Sequence, residues 1–110
     1  LTPDFRRECP DTADWIADMI RNTPVAGFAG CCRAISHFDA SGELSTIQAP
    51  TTVVVGENDP GTPVTEAEAI RDRIPGAELR VLPGARHLTC VEAAEGVNSV
   101  IREIVDSAEG

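Results

Sequence analysis

Apolar side chains recur at helical spacing through residues 1–40. A first helix is predicted to begin at Asp11 or Thr12, because either side chain can accept hydrogen bonds from the free amides of a first helical turn. Thr23-Pro24 ends this helix and starts a second one, since proline fits the first turn of a helix but not its interior. The apolar positions are Trp15, Ile16, Met19 and Ile20 in the first helix, and Val25, Phe28, Cys32 and Ile35 in the second.

From residue 41 onward, the pattern changes to strands that alternate with helices. Thr51–Val55 is nearly continuous in apolarity, which is typical of a strand covered on both faces. Thr65-Glu66-Ala67-Glu68 has the spacing of a capping box and predicts a helix that Pro75-Gly76 ends. Leu79–Leu82 predicts a second strand, and a last helix is predicted from about Val91 to Val105. The inward positions are Ala67, Ile70 and Ile74 in the first of these helices, and Val97, Val100, Ile101, Ile104 and Val105 in the last.

Two strands joined by a helix predict the α/β class, with a parallel pair and a right-handed crossover. Such folds place their chemistry in the loops after the carboxyl ends of the strands. Asp59 lies in the loop after the first predicted strand, and His87 lies in the loop after the second. Because adjacent parallel strands bring these loops side by side, we expect the two side chains to lie close together.

Asp59 and His87 follow the chain order of the last two members of a Ser-Asp-His triad. The aspartate of a triad accepts the ring N–H of the histidine and stabilises the imidazolium that forms when the ring takes a proton. Each residue also has a simpler interpretation. Asn58-Asp59-Pro60-Gly61 is a strong turn sequence by itself, and His87 is also consistent with a surface loop histidine. The other histidine, His37, falls at a predicted helix end, where it favours the helix dipole.

A nucleophile for such a triad is missing from this sequence. Hydrolases of this kind place it in G-x-S-x-G, on a turn between a strand and a helix, and no serine here has glycine two positions earlier. A cysteine version also fails, because Cys32 has Gly30 before it but Ala34 after it. The sequence therefore predicts that this chain alone is not a complete hydrolase.

No metal or cofactor is expected from the motifs. The sequence has neither G-x-G-x-x-G nor G-x-x-x-x-G-K-[ST], the signatures of dinucleotide and phosphate binding. Its four cysteines lack the closely spaced pairs of zinc sites. We expect these thiols to be reduced and mostly buried.

Composition and charge restrict the function further. With 110 residues, of which 42% are hydrophobic, the chain forms at most one small domain. Its net charge of −9 argues against binding to nucleic acid and to anionic membranes. We expect a cytoplasmic protein, because the sequence has no apolar run of about 20 residues and no signal peptide. Since the first residue is Leu1 rather than Met, we expect the chain to begin within a longer protein.

The second half resembles the C-terminal end of α/β-hydrolases over its whole length. The segments that carry the resemblance are Ile47–Pro63, Ile74–Ala77 and Pro83–Leu88. In that family, the catalytic acid stands where Asp59 stands, and the catalytic histidine stands where His87 stands.

The first half narrows the resemblance to one group of these enzymes. It resembles the end of the helical cap of 3-oxoadipate enol-lactonases. The resemblance therefore assigns residues 1–40 to the end of a helical cap, and residues 41–110 to the C-terminal part of the hydrolase core. The segments that resemble this cap are Thr2–Phe5, Trp15, Met19-Ile20, Thr23-Pro24 and Gly27–Ile35.

The resemblance implies cofactor-free opening of a lactone in the breakdown of aromatic compounds. A serine outside this sequence attacks the lactone carbonyl while His87 acts as general base and Asp59 orients it; His87 then activates water to release 3-oxoadipate. Trp15 is a candidate for lining the cap pocket, with a core position as the alternative. Arg33 is a candidate for pairing with a substrate carboxylate, with a solvated helix face as the alternative.

Other functions share parts of this pattern. Esterases, perhydrolases and C–C hydrolases have the same fold, and a non-catalytic interaction domain is the alternative outside enzymes. A two-stranded parallel unit leaves sheet edges and helix faces uncovered. We therefore expect the chain to pair with a missing N-terminal hydrolase segment or to self-associate.

Overall fold

The computed structural model describes residues 1–109 of the protein, and the side chains of residues 1–107. A helical first half precedes a β-α-β unit, and two further helices follow it. The helices are α1 (Pro3–Glu8), α2 (Pro10–Arg21), α3 (Val25–Ser36), α4 (Val64–Arg73), α5 (Thr89–Glu92) and α6 (Ala94–Glu109); the strands are β1 (Thr52–Gly56) and β2 (Glu78–Leu82); Leu44–Thr46 forms one turn of 3₁₀ helix.

The predicted parallel pair is confirmed. β1 and β2 run parallel with Thr52 opposite Glu78 and Gly56 opposite Leu82, and helix α4 packs against both strands. β-Branched side chains favour this extended backbone in β1. Because Gly56 pairs with Leu82, both strands end at the same level, and the loops that follow them are adjacent. The buried apolar residues are Ile16, Val55, Ala67, Ile74, Leu82, Ala85 and Val100.

The burial of β1 and α4 is less complete than the pattern predicts. In β1, only Val55 among the valines is buried, while Val53 and Val54 are half-buried. Ala67 and Ile74 of α4 face inward as predicted, but the prediction for Ile70 is wrong, because 42% of its surface is exposed. The side chains of Val53, Val54 and Ile70 are thus not fully covered by any described part of the chain.

The start predicted at Asp11 or Thr12 for the first of the predicted helices, which is α2 in the structure, is wrong. Helix α2 begins at Pro10, and Cys9 occupies the capping position without a side-chain hydrogen bond. Proline is suited to the first helical position, because it has no amide hydrogen to leave unbonded there. Asp11 consequently lies within the first turn, where its charge favours the helix dipole rather than capping the amides.

Helix α1 was not predicted from the sequence. The hydroxyl oxygen of Thr2 accepts a hydrogen bond from the amide of Phe5 at 3.2 Å, which caps the helix. Pro3 follows at the first helical position, and Asp4 places a negative charge in the first turn. Each of these features stabilises a helix start.

The capping box predicted at Thr65 is also wrong. Helix α4 begins one residue earlier, at Val64, and Pro63 occupies the capping position. The threonine that bonds a turn in this region is Thr62, whose hydroxyl is engaged by Asp59. Thr65 therefore lies inside the helix rather than at its cap.

The predicted last helix, from about Val91 to Val105, is two helices. The backbone leaves the helical conformation at Ala93, with φ −132° and ψ 45°, which separates α5 from α6. Val100 is buried as predicted, and Val97 and Ile104 are half-buried. Ile101 and Val105, which were also expected inward, are about half exposed.

The apolar stripes of the first half are largely exposed. Ile16 is the only buried residue of α2, and α3 has no buried residue among those described. Three of the four cysteines are exposed as well, contrary to expectation: Cys31, Cys32 and Cys90. None of the described helices is long and apolar enough to cross a membrane. The exposed apolar residues of this half are Trp15, Met19, Ile20, Val25, Phe28, Ile35 and Phe38.

We predict that this chain, produced alone, does not behave as a well-dispersed monomer. The unpaired edge of β1 and the exposed faces of α2 and α3 are surfaces that associate in water. Sedimentation velocity should show self-association, and a thermal melt should lack a sharp cooperative transition. A monodisperse 11.6 kDa species with a cooperative melt would contradict this prediction.

Candidate active site

Asp59 and His87 lie in the loops that follow β1 and β2, and their side chains are in contact. Nδ1 of His87 lies 2.8 Å from Oδ2 of Asp59. The carboxylate is almost fully buried, with 4% of its side chain exposed, whereas 63% of the histidine side chain is exposed. The strand order therefore brings the two predicted residues together, with the acid inside and the imidazole facing outward.

Asp59 also closes a turn, as the sequence Asn58-Asp59-Pro60-Gly61 predicts, and it does so with its other carboxylate oxygen, Oδ1. Oδ1 accepts hydrogen bonds from the amides of Gly61 at 2.9 Å and Thr62 at 3.1 Å. This is the local arrangement by which aspartate closes a turn onto its own backbone. One oxygen thus shapes the loop, and the shaped loop presents the second oxygen to His87.

Hydrogen bonding keeps Asp59 charged despite its burial. Burial raises the pKa of this carboxyl, but the hydrogen bonds from His87, Thr62 and Gly61 outweigh it and hold the pKa well below its ordinary value. An ionised carboxylate can only accept hydrogen bonds. Nδ1 of His87 therefore carries the proton, and Nε2 of the neutral ring is left as the basic nitrogen.

Thr62 belongs to the candidate site, although no sequence motif indicated it. Its hydroxyl donates to Oδ2 of Asp59 at 2.8 Å, and the same oxygen lies 3.2 Å from Nδ1 of His87. The hydroxyl oxygen and the carboxylate thus both face the Nδ1 proton, which restricts rotation of the ring. The available signal was a hydroxyl residue three positions after the aspartate of a turn.

The loop that carries His87 is docked onto the end of β1 by direct backbone contact. The amide of Asn58 donates to the carbonyl of Ala85 at 2.9 Å. Gly84, with φ 70°, turns the chain after β2 into this position. Gly56 permits the approach, because a Cβ atom there would lie 2.6 Å from the Ala85 carbonyl oxygen.

Comparisons with known proteins agree with this architecture. The chain is 27% identical over 105 residues to 3-oxoadipate enol-lactonase 2 of Acinetobacter baylyi, a match that covers 96% of this chain and 39% of the relative. The enol-lactonase of Burkholderia xenovorans superposes with a TM-score of 0.91 at 25% identity, covering 96% of this chain and 40% of that structure. This chain corresponds to the C-terminal portion of an α/β-hydrolase.

A second solved structure broadens the relationship beyond lactonases. A thermophilic esterase from Thermogutta terrifontis superposes with a TM-score of 0.88 at 31% identity, covering 96% of this chain and 39% of that structure. No protein-family model matches the chain. The chain spans 39% of the length of one curated 3-oxoadipate enol-lactonase of Acinetobacter baylyi and 34% of the other.

The two weaker site candidates of this hydrolase portion lie on the helical first half. Trp15 is 63% exposed, so the alternative of a core position is not realised among the described residues. Arg33 is exposed in the last turn of α3. Neither side chain lines the open groove of about 630 Å³ beside Asp59. The groove is lined by Thr2, Pro3, Asp4, Glu57, Asn58, Asp59, Gly84 and Arg86.

We predict that Gly56→Ala destabilises the protein by about 1–3 kcal/mol, because the added methyl group must push the His87 loop away from β1. Urea unfolding of the full-length hydrolase that contains this chain gives the difference in free energy from the parent. The matched control is Gly42→Ala, since nothing lies within 4 Å of a Cβ at that position. Equal stability of the two variants would show that the backbone contact is not tight.

We also predict a pH dependence that arises from Asp59. Because the folded state lowers the pKa of this carboxyl, its stabilisation is fully present above the ordinary value of 3.8. The stabilisation is lost as the pH falls through the lower folded value. Asp59→Asn should therefore destabilise the protein most at neutral pH, and the difference in unfolding midpoint from the parent should begin to shrink as the pH falls below about 4.

Unfolding midpoints of the full-length hydrolase with and without Asp59→Asn, measured between pH 7 and pH 2, check this pH dependence. Asp14→Asn makes the same chemical change at an exposed helical position. This control should change stability by less than about 0.5 kcal/mol at neutral pH. A difference between the parent and Asp59→Asn that grows as the pH falls would have the wrong sign for a lowered pKa.

Proposed function

We propose that this chain supplies the acid and the base of a Ser-Asp-His triad in an enzyme that hydrolyses 3-oxoadipate enol-lactone. The observation that carries the proposal is the 2.8 Å contact between a buried, ionised Asp59 and an outward-facing His87. This contact fixes the tautomer that a general base requires. The similarity to two enol-lactonases supports the choice of substrate.

In the proposed reaction, Nε2 of His87 takes the proton of a serine hydroxyl as the serine oxygen attacks the lactone carbonyl. Asp59 stabilises the imidazolium that results. The ring C–O bond then breaks, and His87 donates its proton to the departing enol oxygen. Water, deprotonated by the same nitrogen, next attacks the acyl-enzyme ester and releases the acid, with the proton returned to the serine.

The serine and the oxyanion donors of this enzyme come from a segment that this sequence does not contain. We assign that segment to the N-terminal part of the hydrolase, docked along the open edge of β1. Half-buried Val53 and Val54 and the exposed Ile70 line the surface on this side. Apolar side chains at an unpaired strand edge are the surface that a further strand of the sheet covers.

The helical first half is proposed to be the end of the cap, comprising residues 1–40, above a core that begins at residue 41. Exposed Trp15 then lines the substrate pocket from the cap side, and Arg33 pairs with a substrate carboxylate. The enzyme is proposed to be cytoplasmic, where exposed cysteines such as Cys31 and Cys32 stay reduced.

A second candidate function is hydrolysis of simple carboxylic esters. It is favoured by the similarity to the thermophilic esterase, which has a higher sequence identity than the superposed enol-lactonase. Both candidates use the same acid and base, so the geometry of Asp59 and His87 does not separate them. The groups on the cap that meet the substrate carry the difference.

We predict that the complete enzyme opens 3-oxoadipate enol-lactone with a higher kcat/KM than p-nitrophenyl acetate. In that enzyme, His87→Gln should lower kcat by about 10³–10⁴-fold, because the proton acceptor is lost. Asp59→Asn should lower kcat to a similar extent, because the wrong ring tautomer is favoured. Steady-state kinetics on both substrates measure these effects.

His37→Gln is the matched control, since His37 lies at the end of α3 and the hydrogen bonds of its ring are to Ser36 and Arg33 of the same helix. This variant should keep the parent activity. Preference for the simple ester would select the esterase alternative. A complete sequence without G-x-S-x-G, and without activity on either substrate, would select the non-catalytic interaction domain.

A further inference from the structure

Glu92 makes a contact that the proposed triad does not use. It lies in α5, in the segment that follows His87. Its Oε2 accepts a hydrogen bond from the amide of Arg86 at 3.0 Å, and its Oε1 accepts one from the amide of Thr2. One carboxylate thereby joins the start of α1 to the residue immediately before His87.

The electrostatics of Glu92 fit a side chain that serves as a double acceptor. Burial raises its pKa, but the hydrogen bonds from Thr2 and Arg86 outweigh burial and lower the pKa below its ordinary value. The side chain is therefore a charged carboxylate at neutral pH. Hydrogen bonds to a charged, partly buried acceptor are stronger than those between neutral groups.

The position of Arg86 determines where His87 can place its ring. The same loop is also held at Gly84, whose amide donates a hydrogen bond to Glu57, the residue after β1, at 2.9 Å. Carboxylates thus hold the loop at Gly84 and at Arg86. Of Glu57 and Glu92, Glu92 is the one bonded to the residue that directly precedes His87, and it also bonds the start of α1.

We propose that Glu92 is a positioning residue for the catalytic base. It holds the loop of His87 against the start of α1, so that the imidazole stays on Asp59 and Nε2 is presented at a fixed point. The inference rests on the proposed function, because a base needs such positioning only if it must meet a nucleophile. Misplacement of a catalytic group by about 1 Å can cost about 100-fold in rate.

The test compares Glu92→Gln with the parent in the complete enzyme. Glutamine keeps the size of the side chain but replaces one acceptor oxygen by an NH₂ group, which cannot accept from an amide. We expect kcat to fall about 10- to 100-fold and KM to change less than about twofold, since ground-state binding is untouched. Glu95→Gln is the control, because it removes the same charge from an exposed site on α6 and should keep the parent kcat.

A spectroscopic readout separates positioning from simple stability. The low-field proton resonance of Nδ1–H in His87 reports its hydrogen bond to Asp59. We expect this resonance to shift or broaden in Glu92→Gln at a temperature well below the melting point, and to be unchanged in Glu95→Gln. A lower melting temperature with unchanged kcat and an unchanged resonance would overturn the proposal.

Two further outcomes have a defined meaning. If Glu92→Gln does not fold, hydrogen exchange of the Arg86 amide in the parent decides, because protection supports the contact and rapid exchange refutes it. If the parent hydrolyses neither the lactone nor simple esters, the proposed function fails. The His87 resonance in Glu92→Gln then decides the positioning role by itself: a change supports it, and no change refutes it.

Discussion

The site depends on one buried charge, the carboxylate of Asp59. A carboxylate with 4% of its surface exposed requires hydrogen bonds to remain ionised, and here it accepts them from two backbone amides, a hydroxyl and an imidazole. Its charge dictates the tautomer of His87. The loop after β1 must therefore fold around Asp59 before His87 has a defined orientation.

That interaction is possible because the two strands end together. Parallel pairing places Gly56 opposite Leu82, so the loops after both strands leave the sheet at the same level. The absence of a side chain at Gly56 then lets the backbone near Ala85 approach within contact distance. A shift of one residue in this register would separate Asp59 from His87 by about 3.3 Å along the strands and break their hydrogen bond.

The parts of the fold that follow from local pattern were predictable, and those that depend on distant contacts were not. The apolar run before Asp59 and the short strand before His87 were sufficient to predict a parallel pair and the proximity of the two residues. The helix starts were misplaced, because proline at Pro10 and Pro63 determines them without a capping side chain. The apolar stripes of α2 and α3 are mostly exposed in the described chain, with Ile16 as the buried exception. An apolar stripe indicates that a face is to be covered, but not whether the covering residues belong to the same sequence.

Thr62 and Glu92 show why the site was only partly predictable. Neither belongs to a motif, since a threonine in a turn and a glutamate on a short helix are common at the surface. Each gains its role from where the fold places its oxygens, on Asp59 and on the amides of Thr2 and Arg86. Asp59, His87 and these supporting groups all lie within one β-α-β unit and the elements directly attached to it. This half of the site is therefore organised by contacts within the chain, while the apolar faces of α2 and the edge of β1 remain open. In the proposed triad, contacts within this chain orient the base, whereas the nucleophile comes from another segment.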